Sequence, residues 1–277
     1  SAASDVYKRQ QEYRDMRTEL NKILRKKKAE RTEAEENKVN QLKQLMNDNA
    51  QQQKILLQEH LSNVSSKILS SSFRFNLTPD ASRDPQKPLY SIGATAEEFF
   101  AMQVLCRNVK KLFKITMSSR HEILSQLKML LREDKSRYYI IRTDVCHCFE
   151  SIPHDKLFEY LEGNNLLDVK SKSLLRGLIR NEFETKNLRP LISTKKTGIP
   201  RGCAISSLLS EFYLSKIDEL LRHTLPGIVF LARYVDDIII VVHPDLDDEH
   251  WWSLDDYVKV LTDVYIRHGL TIHTPTD

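Results

Sequence analysis

From Ile228 to Val242 the chain is nearly all apolar. Ile228, Val229, Phe230, Leu231 and Ala232 precede Tyr234-Val235-Asp236-Asp237, Ile238 to Val242 follow it, and Arg233 is the one exception in the leading run. Two runs of this kind around a short polar stretch predict the strands of a hairpin with adjacent carboxylates on its turn. Tyr138 to Asp144 reads as another strand that ends in a carboxylate. Elsewhere the period is helical, with apolar positions at Val39, Leu42 and Met46, at Leu57, Leu61, Val64 and Ile68, and at Ile123, Leu124, Leu127, Leu130 and Leu131. These patterns predict helix through most of Gln11 to Leu69 and over Ala94 to Ile115 and Ser119 to Arg132. Further helices are expected near Lys156 to Leu161, Val169 to Asn181, Ser207 to Leu221 and Leu254 to His268, before a last strand starting at Leu270.

Gln11 to Leu69 contains neither Gly nor Pro, but Arg25 to Asn37 is nearly all polar or charged. A continuous coiled coil does not fit that interruption; a helical hairpin, or a helix laid against the next domain, does. Ser70-Ser71-Ser72 and the stretch from Pro79 to Pro88 then break the helix, which sets a domain boundary near residue 77. After it the order β-α-α-β-β-α-β predicts an α+β fold, a split βαβ layer of ferredoxin-like type with helices on one face of an antiparallel sheet. In that topology the strand ending at Asp144 returns to lie beside the hairpin.

Composition narrows the class. The 277 residues, 40% of them hydrophobic, can bury a real core, and no apolar run approaches a membrane span, so a cytoplasmic location is expected. Four cysteines (Cys106, Cys146, Cys148, Cys203) suggest reduced thiols rather than a disulfide framework or a zinc knuckle. The net charge of +4 is uneven: residues 1 to 77 hold 15 Lys+Arg against 10 Asp+Glu, leaving 27 against 28 in the rest. Clusters such as Arg25-Lys26-Lys27-Lys28 and Lys110-Lys111 with Lys114 could meet phosphates, although a solvated helix face explains charge runs more often. The chain opens without Met, and the codons GAT GTG TAT AAG AGA CAG of a common sequencing adapter would translate as Asp5 to Gln10. Residues 1 to 10 are therefore expected to be a library artefact.

Adjacent carboxylates beside buried strands are costly unless cations offset them, so the turn suits divalent metal; an Asp-Asp turn that merely closes a hairpin is the plainer alternative. Three converging carboxylates suit two magnesium ions, which take oxygen ligands and can activate a hydroxyl for phosphoryl transfer. Three segments in order, Asp144-Val145-Cys146-His147-Cys148-Phe149, Gly198-Ile199-Pro200-Arg201-Gly202 with Ser206, and Tyr234-Val235-Asp236-Asp237, resemble the palm motifs of reverse transcriptases.

The resemblance implies a fingers and palm architecture: a helical extension over residues 1 to 77, fingers over 78 to 137 and 163 to 196, and palm over 138 to 162 and 197 to 277, cut before the primer grip and thumb. It implies Asp144, Asp236 and Asp237 as catalytic metal ligands for two Mg2+ ions, with Mn2+ as a substitute and the Val145 carbonyl completing a shell. Phe149 falls at the steric gate under the incoming sugar, Arg201 and Gly202 at the loop touching the nascent pair, and Lys114 and Arg120 among basic finger residues that hold triphosphate. Each has a dull alternative: core packing for Phe149, a helix-capping turn for the loop, and ordinary helix ends for the two cations. The implied partners are an RNA template, a DNA product and deoxynucleoside triphosphates, with no membrane, and an oligomer or protein partner could dock on the N-terminal helices.

Arg201 stands where replicative members have Gln, and Ser207 where Pro usually follows the Ser. That pattern is similar to bacterial abortive-infection and defence-associated reverse transcriptases, and implies an anti-phage role. The rival from another class is a palm-like protein that binds RNA or a partner without catalysis. A third reading, a nucleotide cyclase on the same palm, would need a Gly-Gly loop before the acidic turn, and this sequence has none there. Cys146 and Cys148 with His147 could be drawn as a metal clip, and Trp251-Trp252 as a base-stacking pair or a helix start.

Overall fold

The computed structural model describes residues 2–80, 89–92, 95–133, 136–163, 167–180, 196–244 and 252–274. The chain divides into two compact units, Ser1–Phe73 and Arg74–Asp277.

The first unit is a helical hairpin. Helix α1 (Ala2–Leu24) and helix α2 (Glu33–Leu69) are joined by a polar turn with one short 3-10 segment at Lys28–Glu30. The charged stretch that argued against a continuous coil holds that turn and the start of α2, and residues 2 to 10 of the stretch expected to be an artefact lie within α1. Helix α2 starts at a capping box: the Thr32 hydroxyl accepts from the Glu35 amide at 3.3 Å, and the Glu35 carboxylate accepts from the Thr32 amide at 3.0 Å. Leu20 packs with Val39 and Leu42, flanked by Met16, Ile23 and Met46, so apolar positions of the two helices meet in antiparallel order. Farther along, the Asn49 amide donates to Glu12 at 3.3 Å. Leu57 and Leu61, which share the helical period, remain exposed.

The second unit carries the sheet. Strand β3 (Tyr139–Asp144) pairs antiparallel with β5 (Asp237–Val242), which pairs antiparallel with β4 (Ile228–Tyr234). The segment after Leu270 runs along the other edge of β3: Val145 bridges Ile272, the Cys146 amide donates to Thr271 at 2.8 Å and the His273 amide to Asp144 at 3.0 Å. The spatial order is thus C-terminal segment, β3, β5, β4, the split βαβ arrangement expected from the pattern.

Alternation sorts the side chains. Ile141, Thr143, Val145, Leu231, Arg233, Ile238, Ile240 and Val242 are buried on one face. Helix α8 (Ala204–Thr224) and helix α9 (Leu254–Arg267) cover that face, α8 through Glu211 and Asp218 on Arg233, and α9 through Tyr257, whose ring meets Tyr139 edge-on at 6.2 Å. Leu209, Tyr213, Leu214, Ile217 and Leu221 of α8 are fully covered, each contributing about 1.5–3 kcal/mol by burial. Helices α3 (Ala96–Leu112), α4 (Arg120–Glu133), α6 (His154–Glu162) and α7 (Val169–Ile179) fall where the periodicity places them. No residue of α4 is buried, so its apolar stripe is only partly covered.

Three expectations are corrected. The Pro-rich stretch is not only a breaker: β1 (Leu77–Asp80) and β2 (Leu89–Ile92) form a two-stranded antiparallel sheet in which Pro79 faces Tyr90. Pro is tolerated because that sheet has no inner strand. A four-residue helix, α5 (Cys148–Ser151), follows Asp144 and is too short to leave a period. Helix α8 also begins at Ala204, three residues before the expected start. The acidic loop expected at Asp245 to Glu249, together with Trp251, lies outside the described residues.

Candidate active site

Asp144 is the last residue of β3 and Asp237 the first of β5, and the register sets them directly opposite each other. Tyr234 and Asp237 close the hairpin, so Val235 and Asp236 alone form its turn. Val235 has φ of 60° and Asp236 has no positive φ, the pattern of a II′ turn, whose first central position favours Gly. A β-branched residue there is strained. The Val145 amide donates to the Asp236 carbonyl at 3.2 Å and so ties the end of β3 to the turn. Three carboxylates therefore leave two adjacent strand ends. Asp144 and Asp237 lie on the face opposite the α8–α9 core, and each side chain is 48% exposed.

Two neighbours of these acids escaped the sequence reading. The Arg142 guanidinium lies 3.4 Å from Asp237 Oδ1, and His273 Nε2 lies 3.7 Å from Asp144 Oδ2. Arg142 was discoverable, because it sits two residues before Asp144 and shares its face. Among the described residues no three of His, Cys, Asp and Glu gather closely enough to hold a metal ion, the Cys146–Cys148 clip included. The donor chemistry nevertheless fits a hard cation: three carboxylates, half open to solvent, on strand ends in register.

The Gly198–Gly202 loop is built against α5. The Gly198 amide donates to Ile152 at 2.8 Å and the Ile199 amide to Phe149 at 2.7 Å. Gly198 has φ of 99°, and a Cβ there would stand 3.1 Å from the Glu150 carbonyl, so only glycine permits the approach. His154 Nε2 meets the Gly198 carbonyl at 2.6 Å, and burial holds that imidazole below its ordinary pKa. The Ser206 hydroxyl donates to Pro200 at 2.5 Å and staples the loop to the start of α8. On the loop's other side the Tyr90 amide donates to Arg201 at 2.7 Å, and a Cβ on Gly202, whose φ is 93°, would come within 3.0 Å of the Tyr90 carbonyl. Tyr90 belongs to the strand pair that sequence reasoning missed.

This packing brings Phe149 and Arg201 together. The guanidinium carbon of Arg201 stands 5.8 Å from the Phe149 ring centroid, and its Nη1 lies 3.6 Å from Glu150. Phe149 is half-buried. Lys114 and Arg120 are exposed at the end of α3 and the start of α4, and among the described residues no hydrogen bond or ion pair ties them to the loop or the turn. Lys114 has φ of 51°, the left-handed residue that commonly follows a helix end.

Beneath the turn lies a buried polar cluster. Arg233, 4% exposed, donates through Nη1 and Nη2 to the two Glu211 oxygens, both at 2.9 Å, and through Nε to Asp218 at 2.9 Å. Its Nη1 also donates to the Val235 carbonyl at 2.7 Å. Desolvation pushes Asp218 above the usual carboxylate range despite the arginine. Cys148 sits close by, 3.4 Å from the Ser210 hydroxyl, with burial raising its thiol to about 11. All four cysteines are free thiols.

The model of the reverse transcriptase (RNA-dependent DNA polymerase) family matches residues 94–274, well over half of the chain. The chain belongs to the reverse transcriptase family. Among curated proteins, this reverse transcriptase is 26% identical over 183 residues to an uncharacterized 91 kDa protein in the cob intron of Schizosaccharomyces pombe, covering 58% of this chain and 21% of that protein. It is 32% identical over 85 residues to a protein described as COX1/OXI3 intron 2 protein of Saccharomyces cerevisiae, covering 31% and 10%. The chain thus spans only about a fifth and a tenth of those relatives' lengths. Similar solved structures include an apo telomerase from Candida tropicalis (15% identity, 75% of this chain and 50% of that one, TM-score 0.41) and a telomerase from Candida albicans with a TWJ fragment of telomeric RNA (12%, 81% and 46%, 0.38). Among the described residues no helix is long and apolar enough to cross a membrane.

Proposed function

We propose that this chain carries the catalytic centre of an RNA-directed DNA polymerase that transfers deoxynucleotides from their triphosphates to a 3′-hydroxyl. The observation that carries the reading is the register of β3 against β5, which sets Asp144 opposite Asp237 with Asp236 on the adjoining turn. Asp144, Asp236 and Asp237, with the Val145 carbonyl, are the residues to hold two Mg2+ ions, which when bound offset the clustered charge and supply an activated hydroxyl and a stabilised leaving oxygen. Phe149 packs under the incoming sugar and disfavours a 2′-hydroxyl. Arg201, resting on that ring and paired with Glu150, contacts the nascent pair together with the Gly202 backbone. Lys114 and Arg120 offer charge to the triphosphate.

Replacing Asp236 and Asp237 by Asn tests the mechanism: Mg2+-dependent incorporation on a primed RNA template should fall to background. Unchanged incorporation would sink it. A wild-type chain that binds RNA without incorporating nucleotides would instead support the non-catalytic palm.

For biological role, Arg201 and the helical N-terminal unit support a bacterial anti-phage function, checked by plaque counts on a host expressing the full-length protein. The two intron proteins among the relatives favour a second reading, service to a mobile intron, checked by copurifying intron RNA.

A further inference from the structure

Val235 occupies a left-handed conformation at the centre of the acidic turn. An L-residue pays on the order of 1–2 kcal/mol to stand there, and a β-branched one is worse placed than most. Something must hold it, and among the described residues the side chain that donates to its carbonyl is Arg233, at 2.7 Å.

Each nitrogen of the guanidinium is engaged. Nε reaches Asp218, Nη2 lies 2.8 Å from the same oxygen and also donates to Glu211, and Nη1 divides between Glu211 and the Val235 carbonyl. Four hydrogen bonds thereby leave its three nitrogens, and the two carboxylates fix the plane of the fork. Burying this cation costs several kcal/mol unless paired, and an apolar residue would fill the same volume more cheaply. What an apolar residue cannot do is hold the turn's carbonyl. Glu211 and Asp218 stand seven residues apart on one face of α8, so the helix presents both carboxylates as a rigid pair.

We propose that Arg233 is the positioning residue of the acidic turn, clamping Val235 in its left-handed conformation so that Asp236 and Asp237 are set toward Asp144 as metal ligands. This rests on the reading of those aspartates as a metal site. A lysine has charge but no planar fork, so Arg233→Lys leaves the carbonyl unheld. Glycine adopts positive φ at little cost, so Val235→Gly should make the clamp dispensable.

The test compares wild type, Arg233→Lys, Val235→Gly and the double variant of the full chain. Mn2+ binding is read by electron paramagnetic resonance, folded fraction by thermal unfolding, and Mg2+ dependence by nucleotide incorporation. Arg233→Lys is expected to weaken Mn2+ binding by about tenfold or more in the folded protein, as losses behind a metal ligand do. The Mg2+ half-saturation should rise in step while KM for the nucleotide stays near wild type, and adding Val235→Gly should restore most of the loss. Wild-type Mn2+ affinity in folded Arg233→Lys, a loss that Val235→Gly does not relieve, or no Mn2+ binding by wild type would each overturn the clamp. If Arg233→Lys does not fold, Glu211→Gln, which keeps shape and removes the charge aiming Nη1, must show the same rescue. Incorporation by wild type without this pattern sinks the clamp alone; the pattern without incorporation sinks the polymerase reading alone.

Discussion

The two faces of the three-stranded sheet hold their charges differently. On the open face, Arg142 and His273 stand 3.4 and 3.7 Å from Asp237 and Asp144, with every partner about half exposed or more. Pairs of this kind contribute about 0–1 kcal/mol and are screened by salt. On the covered face, Arg233 and Glu211 meet in a two-pronged pair with side chains 2% and 10% exposed. The acids are loosely held while the backbone that carries them is tightly held. A site that exchanges ions and substrates needs ligands able to change partners on a frame that does not move, and the sheet separates the two demands by face.

The largest test of that contrast is chemical. Asp236→Asn with Asp237→Asn should remove incorporation while the melting temperature stays near wild type, because neither side chain supports the core; a collapse of stability would show that the open face is structural after all. On the covered face, Glu211→Ala takes the two-pronged partner from a buried guanidinium, leaving it Asp218, and should cost about 3 kcal/mol in denaturant unfolding. A Gly202→Ala substitution strains a positive φ and pushes a methyl toward the Tyr90 carbonyl, and should lower stability by about 1–3 kcal/mol through the loop's hold on β2. The smallest effect belongs to Arg142→Ala, expected to change stability by less than about 0.5 kcal/mol. A larger Arg142 effect would erase the difference between the faces.

Much of this was readable from the residues. The sheet strands and the long helices have unambiguous periods, and the three acids lie in segments whose order carries a family resemblance. What escaped was short or non-local. Leu77–Asp80 and Leu89–Ile92 are four residues each, contain or adjoin Pro and Lys, and gain strand identity only by pairing with each other. His273 reaches Asp144 only because the C-terminal segment lies along β3. Arg233 was visible as the single charge in an apolar strand, and Glu211 and Asp218 as acids seven apart on an apolar helix. Nothing in one dimension joins the three, because the pairing exists only once α8 covers the sheet.

Helix α8 also gives the site a common ruler. Its first turn is stapled by Ser206 to the Gly198–Gly202 loop, and its middle, at Glu211 and Asp218, grips Arg233 beneath the acidic turn. A helix advances about 1.5 Å per residue, so the five residues from Ser206 to Glu211 span about 7–8 Å along its axis. The spacing between the part that would meet a base pair and the part that would meet its phosphates is therefore set by covalent geometry, as graduations are cut into a single bar.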